Sequence, residues 1–396
     1  MKLYKHQQQL LELNPKRHGL FFDTGTGKTL TAIKLAEKNS DNCLVLCPKS
    51  LKEQWYEEID KFSERKIDWL VKTKEEFRRD WNLLSKYSCL VYDEFHFWGN
   101  HKSQLHKNTM KYCIKHQPEF IYGLTASPYM SSIMNIFALE RLLGYTPRWI
   151  DYNKKYFYPM KIGRRIIHKQ KDGLEKEVAR LCNNIGTAVK LEDCIDLPEQ
   201  IFKTEYFYLT TDQKKAIKNI TDLEAIVKFT KTHQICGGTL KSDGYTEDKE
   251  FDSEKMKRVI ELAHEHRKIV IVCRYNHEIK ILRDKLKNIL NCVVITGATK
   301  DKHHALKDAD KAKSCVILTN AACSVGWQVP SFNFMVFYSY SFSLVDAIQM
   351  RGRINRINFP SSNIYLSLVV KDTIDEHVYD NIVNKKMDFQ IALYNS

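Results

Sequence analysis

The chain has 396 residues, 43% hydrophobic and 28% charged, enough for two or three domains that each bury a core. Its formal net charge of +14 favours a polyanionic partner, either nucleic acid or an anionic membrane surface. No apolar run approaches the ~20 residues of a membrane span, and the start MKLYKHQQQLLEL has no signal-peptide core, so a cytosolic location (nuclear in a eukaryote) is expected.

The first readable unit is GLFF, a short buried strand, followed by the loop Asp23–Gly27 and a helix from Lys28 onward. Strand, glycine-rich loop and helix form the context of a phosphate-binding loop. Gly25 and Gly27 would let the backbone approach phosphate oxygens, and the amide groups of the helix start would point at the anion. Lys28 would neutralise the β- and γ-phosphates of ATP, and the Thr29 hydroxyl would ligate Mg²⁺. The bland alternative is a strand–helix turn with a fortuitous lysine.

Next comes SCLVYDEFHFWG, whose apolar run Cys89–Tyr92 reads as a strand with Asp93 and Glu94 at its end. Asp93 would hold Mg²⁺ through water and Glu94 would polarise the attacking water. Such a pair is common at strand ends; its order and distance after the glycine loop give it weight. FIYGLTASPY is a further strand, ending in Thr125-Ala126-Ser127-Pro128. Residues 151–173 are basic and aromatic. They read either as a nucleic-acid surface between lobes or as a solvated linker whose rings pack on one lobe. TLKSDGYTEDKEFDSEK reads as a polar surface loop.

A second strand–helix alternation follows: KIVIVC, a helical stretch Asn276–Leu290, CVVITG, the helical DKHHALKDADKA, and SCVILTN. Alternation of this kind implies a parallel sheet with helices on both faces. In DAIQMRGRINRIN, Gln349, Arg353 and Arg356 recur at four- and three-residue steps, which places them on one face of a helix. An arginine-rich face is ordinarily solvated; here Gln349, Gly352 and the preceding α/β pattern argue for a site. Two lobes are therefore expected, with a phosphate grip on the first and arginines on the second. Eleven cysteines without CxxC spacing read as buried free thiols, and fourteen histidines without paired-ligand spacing imply no metal held by protein alone.

These motifs resemble those of superfamily-two helicases, and within that group the Swi/Snf-like DNA translocases. LYKHQ is similar to the adenine-binding segment, TGTGKT to motif I, LVLCPKSLKEQW to motif Ia, VKTKEEF to Ib, DEFH to the DExH form of motif II and LTASP to motif III. IVIVCRYNHEI, LTNAACSVGWQVPSFNFMVFYS and QMRGRINRI resemble motifs IV, V and VI, and the central LEDCIDLPEQIFKTEYFYLTTDQKKAI is similar to the branch's connecting segment. Phe22, Phe95, Cys323-Ser324 and the TASP form of motif III depart from the branch's usual residues.

The resemblance implies two tandem RecA-like, doubly wound α/β lobes with ATP in the cleft between them. Residues 1–150 would form the first, 151–250 a connecting segment and 251–396 the second. Gln7 would recognise adenine, and Thr24, Gly25, Thr26, Gly27, Lys28 and Thr29 would hold phosphate and Mg²⁺. Asp93 and Glu94 would do the metal and water work, and Arg353 and Arg356 would contact the γ-phosphate. His96, Thr125, Ser127 and Gln349 would couple nucleotide state to the track, and Lys49, Ser50, Thr73, Arg274 and Thr319 would contact a nucleic-acid strand. The implied activity is a DNA-dependent ATPase that translocates on duplex or branched DNA in replication, recombination or repair. A strand-separating DNA or RNA helicase, and a non-catalytic nucleic-acid loader, are the competing readings. The resemblance spans nearly the whole sequence, so a bare motor is expected, suited to a bacterial or phage source and recruited by unnamed replication or recombination proteins.

Overall fold

The computed structural model describes residues 3–129, 132–162, 165–191, 193–194, 199–220, 224–242, 249–299, 301–320, 323, 327–354, 362–384 and 393. The chain divides into two compact units, Met1–Ile195 with Met387–Ser396, and Asp196–Lys386.

The first unit runs α1 (Lys5–Leu13), β1 (Arg17–Phe22), α2 (Lys28–Asn39), β2 (Asn42–Cys47), α3 (Lys52–Phe62), β3 (Asp68–Thr73), α4 (Lys74–Asp80), β4 (Cys89–Asp93), α5 (Gln104–His116) and β5 (Phe120–Leu124). It continues through α6 (Ile133–Leu142), α7 (Trp149–Tyr156), β6 (Phe157–Ile162), β7 (Arg165–Gln170), α8 (Glu175–Ile185) and β8 (Gly186–Val189). Six strands form one sheet in the order β3-β2-β4-β5-β1-β8, and every neighbouring pair is parallel. β1, β2, β4 and β5 are apolar nearly throughout because both faces of the sheet are covered by helices. β6 and β7 form a separate antiparallel ribbon.

The second unit holds β9 (Gln200–Phe207), α9 (Thr211–Lys218), α10 (Ala225–Cys236), β10 (Thr239–Leu240), β11 (Lys249–Glu250), α11 (Glu254–Glu265), β12 (Lys268–Cys273), α12 (Asn276–Leu286) and β13 (Cys292–Ile295). It ends with α13 (Lys302–Lys311), β14 (Cys315–Asn320), β15 (Phe334–Phe337), α14 (Leu344–Arg351), β16 (Asn363–Val370) and α15 (Ile374–Tyr379). Its six-stranded sheet has the order β13-β14-β12-β15-β16-β9 and is again parallel throughout. Val270 and Val272 of β12 enter one hydrophobic cluster while Ile269, Ile271 and Cys273 enter another, so the strand's alternation feeds a core on each face. The two expected α/β lobes are thus both present.

The segment 151–250 contributes to both units, since β8 completes the first sheet and β9 the second. Near the chain's end, Leu393 is buried in the first unit's core. All eleven cysteines are free, eight of them buried. Among the described residues no helix is long and apolar enough to cross a membrane, and no cluster of three metal-ligating side chains occurs.

Candidate nucleotide site

In an all-parallel sheet, the C-terminal strand ends lie on one edge and carry the loops that bind ligands. On this edge of the first unit sit the loop after β1, the acidic end of β4 and Thr125 after β5. Gly25 (φ 87°) and Gly27 (φ 81°) adopt left-handed backbone that a side chain would strain. A Cβ on Gly27 would also lie 2.4 Å from Gln7 Nε2. Thr26 donates its hydroxyl to Asp23 O (2.7 Å), closing the loop. The Lys28 ammonium donates to Phe22 O (2.8 Å) and Asp23 O (3.0 Å). Thr24 and Thr29 are partly buried beside it.

Gln7 is buried and braces the loop. Its amide donates to Gly27 O and to the Thr31 hydroxyl, both at 3.1 Å, while its oxygen accepts from Tyr4 N at 2.8 Å. His6 lies edge-on to Phe22 at 4.9 Å and contacts Thr26 O at 3.0 Å. Phe22 is thereby packed under α1 and is kept out of the loop's mouth.

Asp93 ends β4 in a buried position. Trp55 Nε1 donates to its Oδ2 at 2.8 Å, and Glu94 N donates to its Oδ1 at 2.9 Å. Burial and the adjacent Glu94 charge push the Asp93 carboxyl up to about 7, against the pull of Trp55 and Lys28. Glu94 occupies left-handed backbone (φ 51°) at the strand end, a strained position of the kind that accompanies functional sites. Its Oε2 lies 3.3 Å from His96 Nδ1, and that nitrogen lies 3.0 Å from the Thr125 hydroxyl. Thr125 Oγ1 also accepts from Ser127 N at 3.1 Å. The Ser127 hydroxyl is buried without a hydrogen-bond partner among the described residues. Asp93, Glu94, His96, Thr125 and Ser127 are therefore joined through short contacts. Phe95 fits because it lies over Gly123, where an added Cβ would come within 2.3 Å of the ring.

These residues fit a magnesium nucleotide. The Thr29 hydroxyl and two adjacent carboxylates are hard oxygen donors. The raised Asp93 carboxyl marks buried negative charge that a divalent cation would offset. The glycine loop and Lys28 supply the matching anion cradle.

In the second unit, the expected helical face is shorter than its spacing suggested. α14 ends at Arg351 and Gly352 is its C-cap, so Gln349 lies on the helix and Arg353 beyond it. Gln349 and Arg353 are both buried. The Arg353 guanidinium donates to Gln349 O (2.8 Å) and Trp327 O (2.7 Å). Arg356 lies outside the described residues, as does Ser324. The expected helix at Asn276–Leu290 likewise ends at Leu286.

The strand-contact candidates separate. Lys49 and Ser50 are exposed in a short turn after β2. Thr73 is buried and caps α4, accepting from Glu76 N at 3.1 Å. Arg274 is partly buried, its guanidinium 4.8 Å from the Phe342 ring centre. Thr319 is fully buried, with its hydroxyl directed to Asn320 O at 3.4 Å. The site residue that the motif reading passed over is Trp55. Its place in motif Ia was visible, but its bond to Asp93 was not.

Both units match known families. Residues 1–81 match the family model "Type III restriction enzyme, res subunit", and residues 254–358 match "Helicase conserved C-terminal domain". These two matches bear out the superfamily-two helicase resemblance of the sequence. It is 21% identical, over 96% of its length and 37% of the relative's, to the CHD3-type chromatin-remodeling factor CHR7 of Arabidopsis thaliana. The chain spans between about a quarter and two fifths of the length of the curated relatives it matches first. Among solved structures it is similar to the Pyrococcus furiosus Hef helicase domain, with TM-score 0.53 and 16% identity over 95% of this chain and 97% of that one. It is also similar to the Sulfolobus solfataricus SWI2/SNF2 ATPase core solved with dsDNA, with TM-score 0.45 and 19% identity over 100% of this chain and 94% of that one. The Hef likeness supports the tandem RecA-like fold.

Proposed function

We propose that this helicase core is a DNA-dependent ATPase motor that moves on duplex or branched DNA. The observation that carries the reading is the linked set Asp93, Glu94, His96, Thr125 and Ser127 on the sheet edge that also carries the Lys28 loop. Lys28 and the loop amides would hold the β- and γ-phosphates, and Thr29 with Asp93 would hold Mg²⁺, which supplies charge neutralisation at the transferring phosphoryl group. Glu94 would take the proton of the attacking water. His96 would report the state of Glu94 to Thr125 and Ser127. Arg353 and Arg356 would meet the γ-phosphate when the lobes close on ATP, and opening after hydrolysis would advance the track. The net charge of +14 and the chromatin-remodeling relative support DNA as the polymer. Phosphate contacts would dominate, giving weak sequence preference and steep salt dependence. Roles in replication, recombination or repair all suit such a motor. The retained Lys28 and Glu94 argue against a non-catalytic loader.

The test is ATP turnover without nucleic acid and with duplex DNA, branched DNA, single-stranded DNA and RNA, beside a Lys28→Ala protein. Stimulation by duplex or branched DNA that the variant lacks supports the motor. Stimulation by RNA or single strands alone replaces it with a strand-separating helicase. Turnover at the Lys28→Ala level with every polymer refutes it.

A further inference from the structure

We infer that the β6–β7 ribbon is a binding surface for an unpaired nucleic-acid strand. Its register pairs Tyr158 with Lys169 and Met160 with Ile167, so these four side chains share one face. That face is open: Tyr158 is 56% exposed, Met160 38% and Ile167 40%. The opposite face is anchored at its Phe157–Gln170 end, while Pro159, Lys161 and His168 on it are exposed. Phe157 is buried, and Trp149 lies 6.0 Å from Phe157 and 6.3 Å from His168. Gln170 accepts from Ile133 N at 2.8 Å and donates to the Tyr129 hydroxyl at 3.4 Å. Tyr152, Tyr156 and Phe157 thus pack into the first unit, as the linker reading of residues 151–173 expects, whereas the Tyr158 ring is exposed.

A two-stranded ribbon gains little stability by itself in water, and clustered apolar exposure on it marks a contact surface. The surrounding charge selects the occupant. Residues 151–173 contain seven Lys and Arg against Asp151 and Asp172. Lys155 is held by Glu177 at 2.6 Å, and Lys171 lies 5.3 Å from the Tyr158 ring centre while its ammonium donates to Lys154 O and Lys155 O; Lys169, paired with Tyr158 on the open face, is exposed. An aromatic ring flanked by cations matches a base stacked above an anionic backbone. A duplex keeps its bases stacked inside and offers no such plane, so an unpaired strand fits better. The anchor supports a track over a membrane: Tyr129 follows Ser127 by two residues, which places the ribbon's base beside the segment proposed to sense nucleotide.

The inference rests on the motor reading for its purpose, but binding is read without nucleotide. Fluorescence anisotropy of the whole chain would use labelled oligothymidine and oligouridine of about twenty nucleotides, longer than the roughly 4–16 one such surface covers, a duplex of equal length, and anionic vesicles. Tyr158→Ala is expected to weaken oligothymidine binding about five- to a hundredfold, Lys169→Glu to weaken it as well, and Tyr158→Phe to restore it. Duplex affinity is expected to stay within about twofold of the parent, because phosphate contacts elsewhere are untouched. Circular dichroism checks the fold of each variant. Unchanged affinity for both oligothymidine and oligouridine in Tyr158→Ala, equal loss on the duplex, or a loss confined to vesicles overturns the proposal. Strand binding through Tyr158 in a protein without DNA-stimulated turnover would sink the motor and keep the ribbon. Stimulated turnover with Tyr158→Ala binding like the parent would do the reverse.

Discussion

Trp55 donates its indole N–H to Asp93 Oδ2 at 2.8 Å, both residues buried. The bond ties α3 to the end of β4 and, with Glu94 N on Oδ1, fixes the orientation of the carboxylate. A hydrogen bond to a charged group contributes about 1.5–3 kcal/mol. Trp55→Phe keeps a buried ring and removes the donor. The Mg²⁺ concentration for half-maximal ATP turnover should rise roughly tenfold, with KM for the nucleotide at saturating Mg²⁺ little changed. A variant with the parent's Mg²⁺ response would show that Trp55 only packs.

Phe95 and Gly123 should be coupled. A Cβ on Gly123 would sit 2.3 Å from Phe95 Cδ1, and this ring is buried against Tyr92, with centres 5.4 Å apart. Gly123→Ala should cost about 1–3 kcal/mol by overpacking. In a Phe95→Ala background the same change should cost less than about 0.5 kcal/mol. Urea unfolding of the four proteins measures the coupling, and additive costs would refute it.

That pair also shows what sequence could and could not reveal. The glycine loop, the acidic strand end and the two alternating lobes were legible because each is set by neighbours in sequence: apolar runs, positive-φ glycines and a helix start. The Trp55–Asp93 bond spans 38 residues and arises only when β2 and β4 lie side by side. Phe95 read as a departure from its family because Gly123, which accommodates it, is on another strand. Arg353 was assigned to a helix face by spacing, but Gly352 ends that helix first. Residues 151–173 had one composition and two fates, since strand alternation sends Phe157 inward and Tyr158 outward.

His106 should make the first unit sensitive to mild acid. It is buried, with Nδ1 2.9 Å from Trp98 O, and its Nε2 has no partner among the described residues. Burial holds the imidazole down at about 4; the Trp98 carbonyl opposes this, and Arg141 and His101 add to it. The unfolded chain takes its proton near 6.5. The folded state therefore binds fewer protons between those values, and its stability is full above 6.5 and falls as pH drops toward 4. The loss is on the order of 3 kcal/mol at most. His106→Gln can keep a donor to Trp98 O without titrating. Urea unfolding at neutral and mildly acidic pH should show the parent losing more stability than the variant; parallel losses would remove His106 as the cause.

Asp375 should be the second unit's most sensitive buried charge. Lys255 Nζ lies 2.7 Å from its Oδ2, His233 Nε2 lies 3.3 Å from its Oδ1, and Val370 N donates to Oδ2 at 2.9 Å. Burial alone would raise the carboxyl, but Lys255 and His233 outweigh it and hold the group down at about 2. Its stabilising contribution is thus complete above the unfolded value near 3.9 and is lost as pH falls through about 2. Asp375→Asn leaves Lys255 buried without its counter-charge, which should cost about 3–5 kcal/mol. Replacing both partners together, Lys255→Met with Asp375→Leu, should recover much of that loss, because an apolar pair needs no compensation in a dry core. The comparison is made by urea unfolding at neutral pH. If the double variant is no more stable than Asp375→Asn, the cost lies in the lost Val370 and His233 contacts and not in the stranded ammonium.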